Sequence, residues 1–398
     1  MLSPSSRELI HASVPVLRTH GESITRRFYA RLFDAHPDLR NLFNMGNQQS
    51  GAQQQSLASA LYAYAANIDN QAALAPVVSR IVQKHVSLGV RAEHYPIVGE
   101  NLLAAIGETL GEAATPELIK AWAEAYGLLA DALIHEEARV YREKGVQPGE
   151  FMPVRVACRQ TESRTVTSFY LEALDGGTLP DFRPGQYISV ALHVDALGLR
   201  QARQYSLSLS SSADSWRISV KREADGSVSG VLHDAVRPGD ILEVSVPCGD
   251  FVLDEHADER LVLIGAGIGI TPLLSMLHTS QDRWPQRPVT LLYATGDGAH
   301  HPMKDEIESL VRANAGLDVA VWYETPRSED RVGVDHDHAG RMDLGRVDRS
   351  LLPADGRYYI CGPDAFMLQQ RDALLARGID PQRIQYEVFG PSLIGHLN

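Results

Sequence analysis

The sequence predicts a multidomain protein: an all-α part first, an antiparallel β-barrel second, and an α/β part with a doubly wound parallel sheet last. Three observations carry this. A chain of 398 residues is too long for one core, so two or three domains are expected. Apolar residues recur every three or four positions to about 147, every second position from 153 to about 255, and in strand–helix alternation from 259 on, which sets the domains at 1–147, 148–257 and 258–398. Between the first two patterns lies "KGVQPGEFMP" (144–153), whose two prolines and two glycines read as a linker.

Within the helical part, "ESITRRFYARLFDAHP" (22–37) places Ile24, Phe28, Leu32 and Ala35 on one face and stops at Pro37. "QQQSLASALYAYAANI" (53–68) repeats Gln53, Leu57, Leu61 and Tyr64 in the same way. The segment 115–141 is a long helix with Thr115 as N-cap and Pro116 at its first position. Its inner stripe runs Trp122, Tyr126, Leu129, Leu133, Glu137, and an unpaired carboxylate on an apolar stripe is costly. "IVQKHVSLGV" (81–90) puts one histidine, His85, on a face with Ile81, Val82 and Leu88. Taken alone, His85 reads either as a satisfied core histidine or as a metal ligand.

The middle part contains "VRVACR", "VTSFYLEAL", "GQYISVALHV", "RQYSLSLS", "WRISVKR" and "ILEVSVP", short strands separated by Gly, Pro, Asp and Ser turns. In the last part, "RLVLIGAG", "VTLLYAT", "LDVAVWYE", "RYYICGP" and "IQYEVFG" are strands. Helical stretches such as "TPLLSMLHTS", "KDEIESLVRANA" and "DAFMLQQRDALLARG" run between them.

Composition narrows the function classes. Hydrophobic residues at 44% and charged residues at 22% are ordinary for a globular protein, and the net charge of −13 argues against nonspecific binding to nucleic acid or an anionic membrane. No basic segment followed by an apolar run opens the chain, and the longest apolar stretch (261–277) is broken by three glycines and Pro272. Cys158, Cys248 and Cys361 form no CxxC pair. A cytoplasmic protein without membrane insertion is expected.

Chemistry enters with four motifs. "GAGIGITP" (265–272) follows a strand and opens a helix; its glycines allow a tight turn, and the helix N-terminus offers free N–H groups to a phosphate. Pro272 stands where the dinucleotide fingerprint needs glycine, so that fingerprint fails in its usual form. The GxGxTP pattern resembles the nicotinamide loop of the ferredoxin–NADP reductase family. "RQYSLS" (203–208) resembles that family's flavin motif, "KREADGSVSGVLHD" (221–234) its flavin pyrophosphate segment, and "CGP" (361–363) its loop beside the nicotinamide. Gly230 stands where the family usually has asparagine.

With a flavin reductase downstream, the helical part resembles a globin, and the whole chain resembles a flavohemoglobin. The segments "RRFYARLF", "LFNM", "QQQSLASALYAYA", "KHVSLGV", "YPIVGENLLAAI" and "YEVFGP" carry this likeness. The resemblance implies haem b, FAD, and NADH or NADPH as electron donor. It implies that His85 is the proximal haem ligand, with Tyr95 and Glu137 as its partners. A carboxylate pulling on the imidazole N–H would make the histidine more electron-donating. On the distal side it implies Tyr29 as the hydroxyl that stabilises bound O2, Gln53 and Leu57 in the same pocket, and Phe28 and Phe43 against the haem.

For FAD it implies Tyr187, Arg203, Gln204, Tyr205, Ser206 and Ser229, with Val388, Phe389, Gly390 and Pro391 closing over the flavin. For the nicotinamide cofactor it implies Gly267, Ile268, Gly269, Ile270, Thr271, Pro272, Cys361 and Gly362. Lys84 and Glu387 would bias electron transfer between haem and flavin. The implied reaction is nitric oxide dioxygenation: NAD(P)H reduces FAD, FAD reduces haem, and O2 bound there turns NO into nitrate. The alternatives are a haem–flavin oxidase or peroxide reductase, and an O2 carrier or sensor with a reductase module.

Two finer expectations remain. Asp297 in "YATGD", with no nearby arginine, would repel a 2′-phosphate and favours NADH. "DHDH" (335–338) reads as a polar loop rather than a metal site. The partners expected are O2, NO and NAD(P)H, a lipid guest in the distal pocket stays open, and a monomer is the default.

Overall fold

The computed structural model describes residues 2–255 and 259–390 and divides the chain into two compact units. One holds the residues up to Met152 together with Ala191–Arg203 and Gly390; the other holds Pro153–Val190 and Gln204–Phe389.

The first unit is built on α1 (Pro4–Ala35), α2 (Met45–Ser50), α3 (Ala52–Ala66), α4 (Gln71–Leu88), α5 (His94–Leu110) and α6 (Pro116–Lys144). Ser3 caps α1 by accepting from the Ser6 N–H, and α1 ends at Ala35, one residue short of the His36–Pro37 step that disfavours helix. Ile10, Leu17, Ile24, Phe28 and Leu32 form its buried stripe, packed with Leu102, Ile106 and Trp122. A Cβ on Gly21 would lie 3.3 Å from the Ala58 methyl, so glycine there lets α1 lie close against α3. Thr115 caps α6 through Leu118 N–H at 3.2 Å, as its sequence predicts, and Gly145 ends it in the left-handed region. Gln201 of the 191–203 segment is fully buried, accepting from Met45 N–H at 3.1 Å and donating to the Arg40 carbonyl at 3.0 Å.

The β-rich part comprises β1 (Met152–Thr161), β2 (Val166–Ala173), β3 (Tyr187–Val194), β4 (Leu199–Ser206), β5 (Trp216–Lys221) and β6 (Ile241–Val244), with α7 (Ser227–Asp234) before the last strand. Its sheet order is β4-β3-β6-β1-β2-β5. The barrel is closed by a Leu207–Ile218 bridge and a Ser208 N–H bond to the Arg217 carbonyl at 2.9 Å. Two strands differ from the sequence reading. "RQYSLSLS" begins at Leu199 and leaves the strand after Ser206 to make that closure, and "ILEVSVP" ends as a strand at Val244. A bulge between Val156 and Cys158 turns Cys158 to solvent.

The last part contains β7 (Leu261–Ala266), α8 (Ile270–Arg283), β8 (Val289–Thr295), α9 (Lys304–Ala313), β9 (Leu317–Tyr323), β10 (His338–Ala339), β11 (Arg357–Cys361), α10 (Asp364–Ala376) and β12 (Ile384–Glu387). Its strands pair in parallel in the order β10-β9-β8-β7-β11-β12. Val262, Leu263 and Ile264 are fully buried, as central strands covered on both faces require. The two-residue β10 was not foreseen, being too short to show a period.

Candidate functional site

His85 sits near the end of α4, where Gly89 at φ +77° closes the helix. Its Nδ1 lies 2.8 Å from Glu137 Oε1 and 3.0 Å from the Tyr95 hydroxyl. That hydroxyl donates to the same Glu137 oxygen at 2.5 Å. Three helices thus converge on one carboxylate that is only 3% exposed, and two donors offset the cost of burying it. With Nδ1–H given to Glu137, Nε2 keeps its lone pair, and no described residue hydrogen-bonds to it. This donor set fits a haem axial ligand. Burial, reinforced by the Glu137 charge, pushes the Tyr95 hydroxyl far above its ordinary value, so it stays a neutral donor. Tyr126 steadies Tyr95 from behind by donating to its carbonyl at 2.6 Å, and a Cβ on Gly99 would come within 2.5 Å of the Tyr126 ring.

On α1, Phe28 and Tyr29 are buried with ring centroids 4.8 Å apart. Phe43 meets Tyr29 edge-on at 5.6 Å, and Phe33 stacks on it at 5.8 Å. Burial raises the Tyr29 hydroxyl to about 12, while the nearby side-chain amides of Gln53 and Gln48 pull the other way. Leu57 packs on the same apolar cluster. Sequence reasoning missed Phe33 and Gln48. Phe33 was legible four residues after Tyr29; Gln48 lies on the six-residue α2, which carries no periodic signal.

Arg203, Gln204, Tyr205 and Ser206 are consecutive on β4, and Tyr187 opens β3. Gln204 donates to the Ser189 hydroxyl at 3.3 Å, and the Arg203 guanidinium to the Ala202 carbonyl at 2.7 Å. Ser229 accepts from Glu223 N–H at 3.2 Å and donates to the Gly226 carbonyl at 3.2 Å, which fixes the turn entering α7. No side chain caps α7, so its first-turn N–H groups remain for a phosphate, and a Cβ on Gly230 would meet open space. These residues fit an FAD pyrophosphate.

In the glycine turn after β7, Gly267 adopts φ +54°. A Cβ on Gly269 would lie 2.3 Å from the Cys361 carbonyl oxygen and 2.7 Å from Gly362 N, so only glycine allows this approach. Ile268 precedes it in the same turn; its carbonyl accepts from the Thr271 hydroxyl at 3.0 Å, and Ile270, Thr271 and Pro272 are buried at the start of α8. Cys361 is fully buried at the end of β11, in register with Glu387 of β12. Burial and the Glu387 charge hold its thiol well above the ordinary value. Val388 is buried, Phe389 is exposed, and the Gly390 carbonyl accepts from Lys84 Nζ at 3.1 Å. Pro391 lies outside the described residues.

One reading requires correction. Asp297 does have an arginine nearby: Arg327 Nε lies 3.9 Å from it, brought there from the end of β9. The Asp297 carboxylate also accepts from Ala299 N–H and from His300 N–H and Nδ1–H, so it caps a turn. In "DHDH", Asp335 pairs with Lys304, His336 stacks on Tyr323, Asp337 accepts from Val321 N–H, and His338 stacks on Trp322. Each therefore has a structural task. Among the described residues no group of three or more His, Cys, Asp or Glu side chains could hold a metal ion.

Comparison with known proteins agrees with this organisation. The globin family matches residues 26–133, the oxidoreductase FAD-binding domain 153–253, and the oxidoreductase NAD-binding domain 263–372. A flavohemoprotein of Chromobacterium violaceum is 50% identical, covering 98% of both chains, and that of Bacillus subtilis is 43% identical over 99% of this chain and 98% of its own. The crystal structure of a Malassezia yamatoensis flavohemoglobin with bound FAD and heme is 30% identical, covers 98% of this chain and 100% of its own, and superposes with a TM-score of 0.88. The FAD/NAD-binding part of a nitric oxide dioxygenase from Vibrio cholerae is 39% identical over 60% of this chain and 99% of its own, with a TM-score of 0.55. A histidine held by a buried carboxylate on a globin-like frame is thus followed by flavin and nicotinamide modules, and the chain belongs to the flavohemoprotein family.

Proposed function

We propose that this flavohemoprotein is an NAD(P)H-dependent nitric oxide dioxygenase. The observation that carries the reading is the Glu137 carboxylate 2.8 Å from His85 Nδ1. A carboxylate in that position holds the N–H and makes the imidazole a stronger donor through Nε2. That favours oxygen activation over reversible storage and speaks against the carrier reading. When bound, haem b supplies one-electron chemistry at iron, and FAD converts a hydride into single electrons.

The chain's own groups do the rest. Tyr29 offers a hydroxyl that stays protonated and can stabilise developing negative charge, with Gln53 beside it. Phe28, Phe43 and Leu57 keep the distal side apolar. Tyr205 and Ser206, flanked by Arg203 and Gln204, carry the flavin, with Tyr187, Ser229 and the 388–391 segment around it. The 267–272 turn, Cys361 and Gly362 position the nicotinamide. Lys84 and Glu387 are fixed charges that bias electron transfer. The reading takes 1–147, 148–257 and 258–398 as the haem, flavin and nicotinamide domains of a cytoplasmic monomer. None of the described helices is long and apolar enough to cross a membrane.

NADH is the proposed donor. Arg327 is neutralised by Asp330 at 3.0 Å and Glu329 at 2.8 Å, with Asp297 at 3.9 Å, so its charge is already compensated where a 2′-phosphate would need it.

The deciding experiment loads the full chain with haem and FAD and follows NADH consumption with and without NO, with nitrate measured as product. NO-dependent consumption with nitrate formation is expected. Equal rates without NO would establish the oxidase alternative instead. His85→Ala should lose the Soret band of the loaded protein while retaining the flavin spectrum.

A further inference from the structure

Dioxygenation joins O2, NO and one electron into nitrate, so each turnover makes an anion from neutral reactants. O2 and NO can cross an apolar protein interior, whereas a desolvated anion is expensive there. The product therefore needs a polar way out. Resting on the dioxygenase reading, we propose that the cleft beside Tyr29 is that way out, with Arg40 and Gln48 forming a nitrate subsite.

The cleft is an open depression of about 390 Å³ between α1 and the segment that follows it, lined by Tyr29, Phe33, Arg40, Met45, Gln48 and Gln54. Tyr29, on which the proposed distal chemistry depends, forms part of its wall. Gln54, 8% exposed, donates to the Gln48 side-chain oxygen at 2.9 Å and to the Gln48 carbonyl at 3.2 Å. Those bonds occupy the oxygen of the Gln48 amide and leave its NH2 over. Gln48 Nε2, Arg40 Nε and the Gln54 side-chain oxygen are shielded from solvent, and none has a hydrogen-bond partner among the described residues, so two of the three shielded groups are donors. Shielded donors without acceptors are rare because each carries a desolvation cost.

Two such donors in one cleft, one of them cationic, suit a small planar anion that only accepts hydrogen bonds. The Arg40 guanidinium sits over the Phe33 ring at 5.8 Å, which holds its plane without consuming its N–H groups. Arg26 and Asp34 also line the cleft, both on its exposed side. Arg26 is paired with Glu22, and Asp34 repels an anion lingering at the mouth. Arg40 and Gln48 thus receive the product next to Tyr29, and the outer rim releases it.

The test titrates [15N]nitrate into the ferric, haem-loaded full chain and reads nitrate line broadening. Saturable broadening is expected. Arg40→Gln should weaken it about tenfold, as losing a charge-assisted bond does, and Arg40→Lys should restore most of the affinity. Gln48→Leu should weaken it too, and Arg139→Gln, a remote surface arginine, should leave it unchanged. Non-saturable broadening, an unchanged affinity in Arg40→Gln, or an equal loss in Arg139→Gln would each overturn the proposal. Failure of the haem reading shows separately, as a missing Soret band before any nitrate is added.

Discussion

At the scale of single residues, Glu137 joins His85 and Tyr95 at one buried oxygen and carries the proposed chemistry. A glutamine in its place keeps the shape and one hydrogen-bond acceptor but removes the charge that draws on the His85 N–H. Glu137→Gln should therefore retain the Soret band and lose ten- to a hundredfold in NO-dependent NADH oxidation, the usual scale for removing a ligand's supporting partner. A steady-state assay on the loaded variant checks this. Asp297 works by charge in a different way. Asparagine can still cap its turn, so Asp297→Asn should fold normally while Arg327 is freed of one neighbouring carboxylate. The ratio of kcat/KM for NADPH over NADH should rise about tenfold, the scale of one charge-assisted contact. An unchanged ratio would separate Asp297 from donor choice.

Among the elements, the β8–β9 end holds a buried histidine that the dioxygenase chemistry does not use. His301 is 5% exposed, with Nδ1 2.9 Å from the Tyr323 hydroxyl and its ring 5.1 Å from Tyr293. Burial pulls its pKa from 6.5 to about 3, with nearby Lys304 adding to the effect. The folded protein therefore holds His301 neutral where the unfolded chain would protonate it. Its stabilising contribution is complete above pH 6.5 and is lost as pH falls towards 3. Between pH 6.5 and 5 this one group should cost about 2 kcal/mol, and His301→Gln should flatten that slope. Denaturant midpoints read by Trp322 fluorescence at the two pH values test it. Asp297, Asp330 and Asp335 also have lowered pKa values, so their contributions are lost only at more acidic pH than that window.

For the molecule as a whole, Pro153–Val190 and Gln204–Phe389 form one unit, tied across its β-rich and α/β parts by a partly buried ion cluster. Arg217 of β5, 2% exposed, donates to Glu306 of α9 at 2.8 Å, and His278 of α8 lies 2.6 Å from the same carboxylate. That attachment lies in the same unit as the 267–272 turn and Gln204, Tyr205 and Ser206 of β4, as the proposed hydride transfer between flavin and nicotinamide demands. The electron count supplies a further expectation. One hydride carries two electrons and each nitrate consumes one, so the loaded chain should form two nitrates per NADH and release one proton. Simultaneous NADH absorbance and nitrate assays measure the ratio. A ratio well below two would mean that electrons leave the flavin by another route.

The three-part organisation was legible because periodicity is local: a helix or strand shows its buried face within a dozen residues. Thr115, the long stripe ending in Glu137, and the glycine turn at 265–272 could all be read this way, and Glu137 was conspicuous as a carboxylate among apolar neighbours. Likeness to a known family, rather than any spacing, joined Tyr95 and Tyr29 to that reading. What only the tertiary structure decided are meetings between distant segments: His85 with Tyr95 and Glu137, Gln48 with Tyr29, Arg327 with Asp297, and Leu207 with Ile218 at the barrel seam. Such contacts leave no mark on either segment's own period, because they depend on how whole elements pack and on which buried polar groups must find partners once they do.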